Sequence, residues 1–184
     1  IDDMIQCVRE MNDYVTQLID ISKDNLKFNL NKEKCSLNEL VDSVLQTMEI
    51  LFKQKNISIR KEYQAEQFPV LCDQKEMKRA IQNILSNAVD FSLENSMIRI
   101  AITFRDEMIQ VSVIDSGKGF SKQDLERAKE QFYMGDSSRG RKNHYGLGLT
   151  ITENIVNAHD GYIELSNRTD ADGGIVSIML PMLK

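Results

Sequence analysis

The sequence predicts an α/β layered structure with mostly antiparallel strands, preceded by a helical arm. Three observations carry this. Residues 1–28 contain no Gly or Pro and repeat apolar residues at steps of three and four. Two segments with the same helical spacing, 37–51 and 74–92, alternate further along with runs of period two. Those runs come in adjacent pairs, 97–104 with 108–115 and 162–167 with 175–180, as antiparallel neighbours do.

Taken in order, Ile1, Ile5, Val8, Met11, Val15, Leu18 and Ile19 form a narrow stripe of coiled-coil type. Such a stripe fits a helix lying on its own domain or one helix of a dimeric bundle. Residues 29–34 are polar and read as a connector. Ser36 to Glu39 (SLNE) has the form of a capping box opening a helix whose apolar side runs from Leu37 to Leu51. Residues 57–63 alternate like a strand, 70–72 form a short second one, and residues 74–92 are helical through Met77, Ala80, Ile81, Ile84, Leu85, Ala88 and Phe91. The pair 97–104 and 108–115 turns around residues 105–107, and its alternation calls for one covered face and one open face. Ser121 caps a short helix over 121–131, and residues 133–146 are a polar, basic loop without periodicity. A helix over 147–160 stopped by Gly161 leads into the closing hairpin.

Composition sets limits on function. With 23 basic against 28 acidic residues the chain carries −5, which disfavours a polyanionic nucleic acid as ligand. No apolar run approaches the roughly 18 residues a membrane span requires. The chain begins at Ile1, so it reads as a piece of something longer whose other parts hold any targeting or membrane segment. Cys7, Cys35 and Cys72 lack metal-ligand spacing and read as buried or half-buried thiols of a reducing compartment. His144 and His159 do not form a zinc pair.

Three features carry chemistry. Asn83 and Asn87, four apart, project from one helix face, and a carboxamide oxygen is a hard neutral ligand suited to magnesium already held by phosphates. They are equally readable as two exposed polar residues. Asp115 to Gly119 (DSGKG) follows an apolar strand. A carboxylate there accepts from an adenine amine, and Gly117 and Gly119 let backbone approach a ligand, although a plain turn has the same look. Gly146 to Leu149 (GLGL) precedes a helix, where free amides and the positive dipole end suit phosphate oxygens, although a plain Gly-rich helix entry reads the same way. No GxxxxGK[ST] occurs.

In this order the three features resemble the catalytic, ATP-binding domain of bacterial sensor histidine kinases, within the Bergerat-fold ATPases that include gyrase and heat-shock chaperones. Asp73, Asn83, Asn87 and Ala88 (NILSNAVDFS) match the N box, and Asp115, Gly117 and Gly119 the first glycine box. Phe132 and Tyr133 (QFYMGDSSR) match the F box, Gly146 and Gly148 the second glycine box, and residues 173–181 the closing strand. Residues 11–23 resemble the second helix of the family's dimerisation hairpin.

The resemblance implies a two-layer α/β sandwich with a mixed, mostly antiparallel sheet, in which 1–30 is the hairpin helix and 31–184 the catalytic domain. It implies ATP and Mg as cofactors, with Asn87 on the metal, Asn83 near the phosphates, Phe91 on the adenine and Asp115 selecting it. Residues 133–146 become the ATP lid, with Tyr133, Arg139, Lys142, Gly146, Leu147 and Gly148 at the nucleotide. It further implies γ-phosphoryl transfer to a histidine, a response regulator as partner, and homodimerisation through the hairpin. The fragment, not itself inserted in the membrane, would be the cytoplasmic portion of a membrane-bound kinase.

Two positions depart from the family: Asp90 stands where lysine is frequent and Met134 where arginine is frequent. These motivate an alternative, an ATP-binding regulatory module without phosphotransfer. An anti-sigma-type serine kinase is a third reading, for which the arm has no use. The acceptor histidine belongs upstream of Ile1, so neither His144 nor His159 is expected to be the acceptor, and the fragment alone is expected not to autophosphorylate.

Overall fold

The computed structural model describes residues 30–127 and 147–183. The arm with Cys7, and the stretch containing Phe132, Tyr133, Met134, Arg139, Arg141, Lys142, His144 and Gly146, lie outside the described residues.

The first element, β1 (Glu33–Ser36), begins inside the expected connector and pairs with β3 (Pro69–Cys72) as a two-stranded antiparallel ribbon. On one face of that ribbon the Cys35 and Cys72 sulfurs lie 2.7 Å apart as free thiols, both raised above the ordinary thiol range by burial. Helix α1 (Leu37–Thr47) follows, with Leu37, Leu40, Val41 and Val44 buried.

The expected capping box does not form at Ser36. Its hydroxyl is turned to the Phe68 amide, 3.2 Å away, and to the Asn38 side chain, because Ser36 is also the last residue of a paired strand. Nor does the helix run unbroken to Leu51. It breaks at Met48, and α2 (Glu49–Gln54) restarts in a new phase that buries Phe52 and leaves Leu51 45% exposed.

Strands β2 (Ser58–Tyr63), β4 (Met97–Arg105), β5 (Met108–Ile114), β6 (Tyr162–Asn167) and β7 (Gly174–Pro181) make one sheet in the order β2-β4-β5-β7-β6. Among the described residues of this sheet β2 and β4 pair in parallel and the other three pairings are antiparallel. A parallel pair needs a long crossover, supplied here by β3 and helix α3 (Gln74–Phe91). Asp73 caps α3, its carboxylate accepting from the amides of Lys75 and Glu76. These amides and that of Asn31 outweigh the effect of burial and hold the Asp73 carboxyl below its usual range.

One face of the sheet is aliphatic. Ile98, Ile100 and Ile102 of β4, Ile109, Val111 and Val113 of β5, and Val176, Ile178 and Leu180 of β7 join α3 and α5 (Gly148–Ala158) in a single core. The other face is more polar: Gln110 donates to the Ser112 and Ser177 hydroxyls, which bond to each other at 2.8 Å. The short helix α4 (Lys122–Arg127) opens on a reciprocal cap, the Ser121 hydroxyl accepting from the Asp124 amide and the Asp124 carboxylate from the Ser121 amide.

At the end of α5 the left-handed residue is Asp160 (φ 61), not Gly161. Gly161 is required for a different reason. A Cβ there would lie 2.1 Å from the Met179 carbonyl, so the helix end and β7 can approach only over a bare backbone.

Candidate functional site

Helix α3 carries two polar side chains toward the start of α5. The Asn83 amide donates to the Gly148 carbonyl at 3.3 Å, and the Thr152 hydroxyl donates to the same oxygen at 2.8 Å. A Cβ on Gly148 would stand 3.8 Å from Asn87 Nδ2, so the missing side chain leaves the half-buried Asn87 carboxamide facing the helix start. Among the described residues no side chain caps α5, and an α-helix's first-turn amides have no partners within the helix itself. Leu147, at the N-cap position, is buried in the core, so what it offers a ligand is backbone.

One turn beyond Asn87 on the same face is Phe91, half-buried. Its carbonyl lies 2.5 Å from where a Gly117 Cβ would be, which brings the end of α3 against the DSGKG segment. Asp115, at the end of β5, is 8% exposed. Its Oδ1 accepts from the amides of Gly117 (2.8 Å) and Gly174 (3.0 Å), while its own amide donates to the Gly174 carbonyl at 3.0 Å. Oδ2 takes no bond from a described residue. Burial raises the Asp115 carboxyl above its ordinary value, against the opposing pull of the Gly174 and Gly117 amides and the Arg168 charge. That charge is already engaged: Arg168 forks onto Asp170 at 3.1 and 2.9 Å and holds its carboxyl down at about 2.

The structure thus brings Asn83, Asn87 and Gly148 together at one end of α3's polar face, and Phe91, Asp115 and Gly117 at the other. Gly119 (φ 73) follows on the same loop. Asp90 is half-buried, beside Phe91.

Several residues of this site carried no signal in the sequence. Lys55 donates from its ammonium to the carbonyls of Val89 (2.6 Å), Asp90 (3.1 Å) and Ser92 (3.2 Å), matching its three N–H bonds to the open end of α3. The Ser92 hydroxyl accepts from the Ser116 amide, Gly174 presents its amide to Asp115, and Asn167 grips Phe120. All are contacts across more than twenty residues of sequence, where no spacing rule applies.

His159 is buried with both ring nitrogens engaged. Nδ1 lies 2.7 Å from the Ile155 carbonyl and therefore carries the proton, and Nε2 accepts from the Asp73 amide at 2.9 Å. It ties the end of α5 to the start of α3.

A buried carboxylate at a strand end, a carboxamide pair on a helix and a helix start without a side-chain cap among the described residues thus lie together on a mixed sheet. The chain belongs to the histidine kinase-, DNA gyrase B- and HSP90-like ATPase family, whose model matches residues 72–184. Within it, the similarity is to sensor histidine kinases. The chain is 35% identical over 173 residues to the sensor histidine kinase SpaK of Bacillus subtilis, covering 94% of this chain and 38% of that protein. It is 29% identical over 178 residues to the adaptive-response sensory kinase SasA of Gloeothece citriformis, covering 96% and 45%. The chain spans less than half the length of these curated relatives.

Among solved structures, the catalytic domain of histidine kinase ThkA superposes with a TM-score of 0.73 at 26% identity, over 83% of this chain and 96% of that one. The histidine kinase AdeS of Acinetobacter baumannii gives 0.80 at 22%, over 100% and 84%, a likeness of fold.

Proposed function

We propose that residues 31–184 bind Mg-ATP and supply its γ-phosphoryl to a histidine on a dimerisation hairpin, of which residues 1–30 form the second helix. The phosphoryl then passes to an aspartate of a response regulator. The observation that carries the reading is the Asp115 carboxylate: Oδ1 is taken by two backbone amides, which fixes the group and leaves Oδ2 as an acceptor for an exocyclic amine.

Asn87 is the magnesium ligand in this reading. The donor set fits a cation that arrives with phosphate, since a single neutral carboxamide cannot hold one alone and no group of three His, Cys, Asp or Glu among the described residues is placed to do so. Magnesium would neutralise phosphate charge. The chain's own residues orient the nucleotide: Phe91 against the base, Asn83 and the first amides of α5 toward the phosphates, and Tyr133, Arg139, Lys142 and Gly146 from the lid. Positioning supplies most of the rate of such a transfer.

Both nitrogens of His159 are occupied, which supports an acceptor outside this chain. No helix among the described residues is long and apolar enough to cross a membrane. In this reading the chain is the cytoplasmic part of a membrane-bound kinase that dimerises through its hairpin.

Incubation with labelled ATP, with and without a polypeptide supplying the complete hairpin in trans, tests the reading. Acid-labile phosphate on the added hairpin alone is the expected result. ATP binding with no transfer to any hairpin would favour the regulatory module that Asp90 and Met134 motivate. Stoichiometric label on His144 or His159 would refute the assignment of the acceptor.

A further inference from the structure

We infer that Asn167 is a positioning residue for nucleotide recognition: by clasping the backbone of Phe120 it fixes Gly174 and, through Gly174, the Asp115 carboxylate. This rests on the nucleotide-site reading above.

Asn167 closes β6 opposite Gly174 of β7. Its Oδ1 accepts from the Phe120 amide at 2.6 Å and its Nδ2 donates to the Phe120 carbonyl at 2.7 Å. One planar carboxamide therefore satisfies both backbone groups of one residue, as a neighbouring strand would. The segment it holds needs Gly119 in the left-handed region (φ 73), and a Cβ there would lie 2.6 Å from Asn167 Oδ1, so the amide and the glycine fit as a pair.

Phe120, so held, lies over β7: its ring edge is 2.8 Å from where a Gly174 Cβ would be. Gly174 in turn donates its amide to Asp115 Oδ1 and accepts the Asp115 amide. Contact is continuous from Asn167 through Phe120 and Gly174 to Asp115. Asn167 itself is exposed and outside the core. Two exposed neutral hydrogen bonds contribute little to global stability, so the clasp matters for where Asp115 sits more than for whether the domain folds.

Calorimetric titration of the full 184-residue chain with Mg-ATP and Mg-GTP, for wild type, Asn167→Ala, Asp115→Asn and the double variant, tests this. Asn167→Ala should weaken ATP about 5- to 10-fold, lower the ATP-to-GTP preference, and move Tm by less than about 4 °C. In the Asp115→Asn background the same change should cost less than about 2-fold, because the group it positions has gone. Asn167→Asp keeps the acceptor for the Phe120 amide but sets a carboxylate oxygen against the Phe120 carbonyl, so it should recover none of the loss. Amide exchange supplies a readout that needs no nucleotide: Asn167→Ala should speed exchange at Gly117 and Gly174. Unchanged affinity and unchanged exchange, or an undiminished loss in the Asp115→Asn background, overturn the inference while leaving the nucleotide site standing. A wild-type chain that binds no ATP overturns both.

Discussion

Replacing Asp115 by Asn alters one atom of a carboxylate whose other oxygen is committed. Oδ1 holds the amides of Gly117 and Gly174, so the Asn side chain should seat its carbonyl oxygen there and present its NH2 where Oδ2 stood. In the proposed nucleotide pose, a charged acceptor for the adenine amine becomes a donor facing a donor. Loss of a charge-assisted hydrogen bond costs roughly 1.5–3 kcal/mol, or about 10- to 100-fold in ATP affinity. GTP presents a carbonyl at the corresponding position and should lose less or gain. Asp115→Ala differs in kind. It strips the acceptor from two buried amides, at about 1–3 kcal/mol each, and should lower stability as well as affinity. Calorimetry with both nucleotides, alongside thermal unfolding of the three proteins, separates the effects. An equal loss for ATP and GTP in Asp115→Asn, or a destabilisation matching that of Asp115→Ala, would refute the assigned roles of the two oxygens.

Two further outcomes follow from the core. His159 is neutral in the fold and burial lowers its pKa below the ordinary value near 6.5, so the unfolded chain takes up the proton first. Its contribution to stability is therefore complete above pH 6.5 and is lost as pH falls below that. Urea unfolding from pH 7.5 to 5 should show a decline that His159→Gln flattens, and an unchanged slope in the variant would exclude His159 as its source. Gly161→Ala places a methyl 2.1 Å from the Met179 carbonyl, a clash with backbone that should cost about 1–3 kcal/mol without altering nucleotide affinity. A Tm equal to wild type would contradict the close approach of α5 and β7.

What the sequence disclosed depended on how local the cause was. Helix α3 and its pair Asn83 and Asn87 follow from a period that repeats every few residues, and β4 and β5 from alternation around a short turn. Strand β1 was hidden because EKCS has no apolar alternation; its pairing with β3 is a property of residues more than thirty positions away. The break at Met48 was hidden because both Leu51 and Phe52 continue the apolar run, and only the packing of α2 decides which is buried. The serine box at Ser36 was outcompeted by the Phe68 amide, whereas the same chemistry at Ser121, with no strand partner, formed. At the site, residue types pointed to Asp115 but not to Gly174, Asn167 or Lys55, which act through backbone groups far along the chain.

Strand β7 lies between β5 and β6, yet it is made after both. During synthesis Asp115 leaves the ribosome 59 residues ahead of the Gly174 amide that will hold it. At about 5–20 residues per second that is an interval of roughly 3–12 s. Throughout it, one ladder of β5 has no strand to pair with and stands as an open edge, the condition under which nascent chains pair with the wrong neighbour. Nucleotide cannot shorten that interval, because a ligand stabilises only a site that exists, and this site does not exist until the hairpin closes.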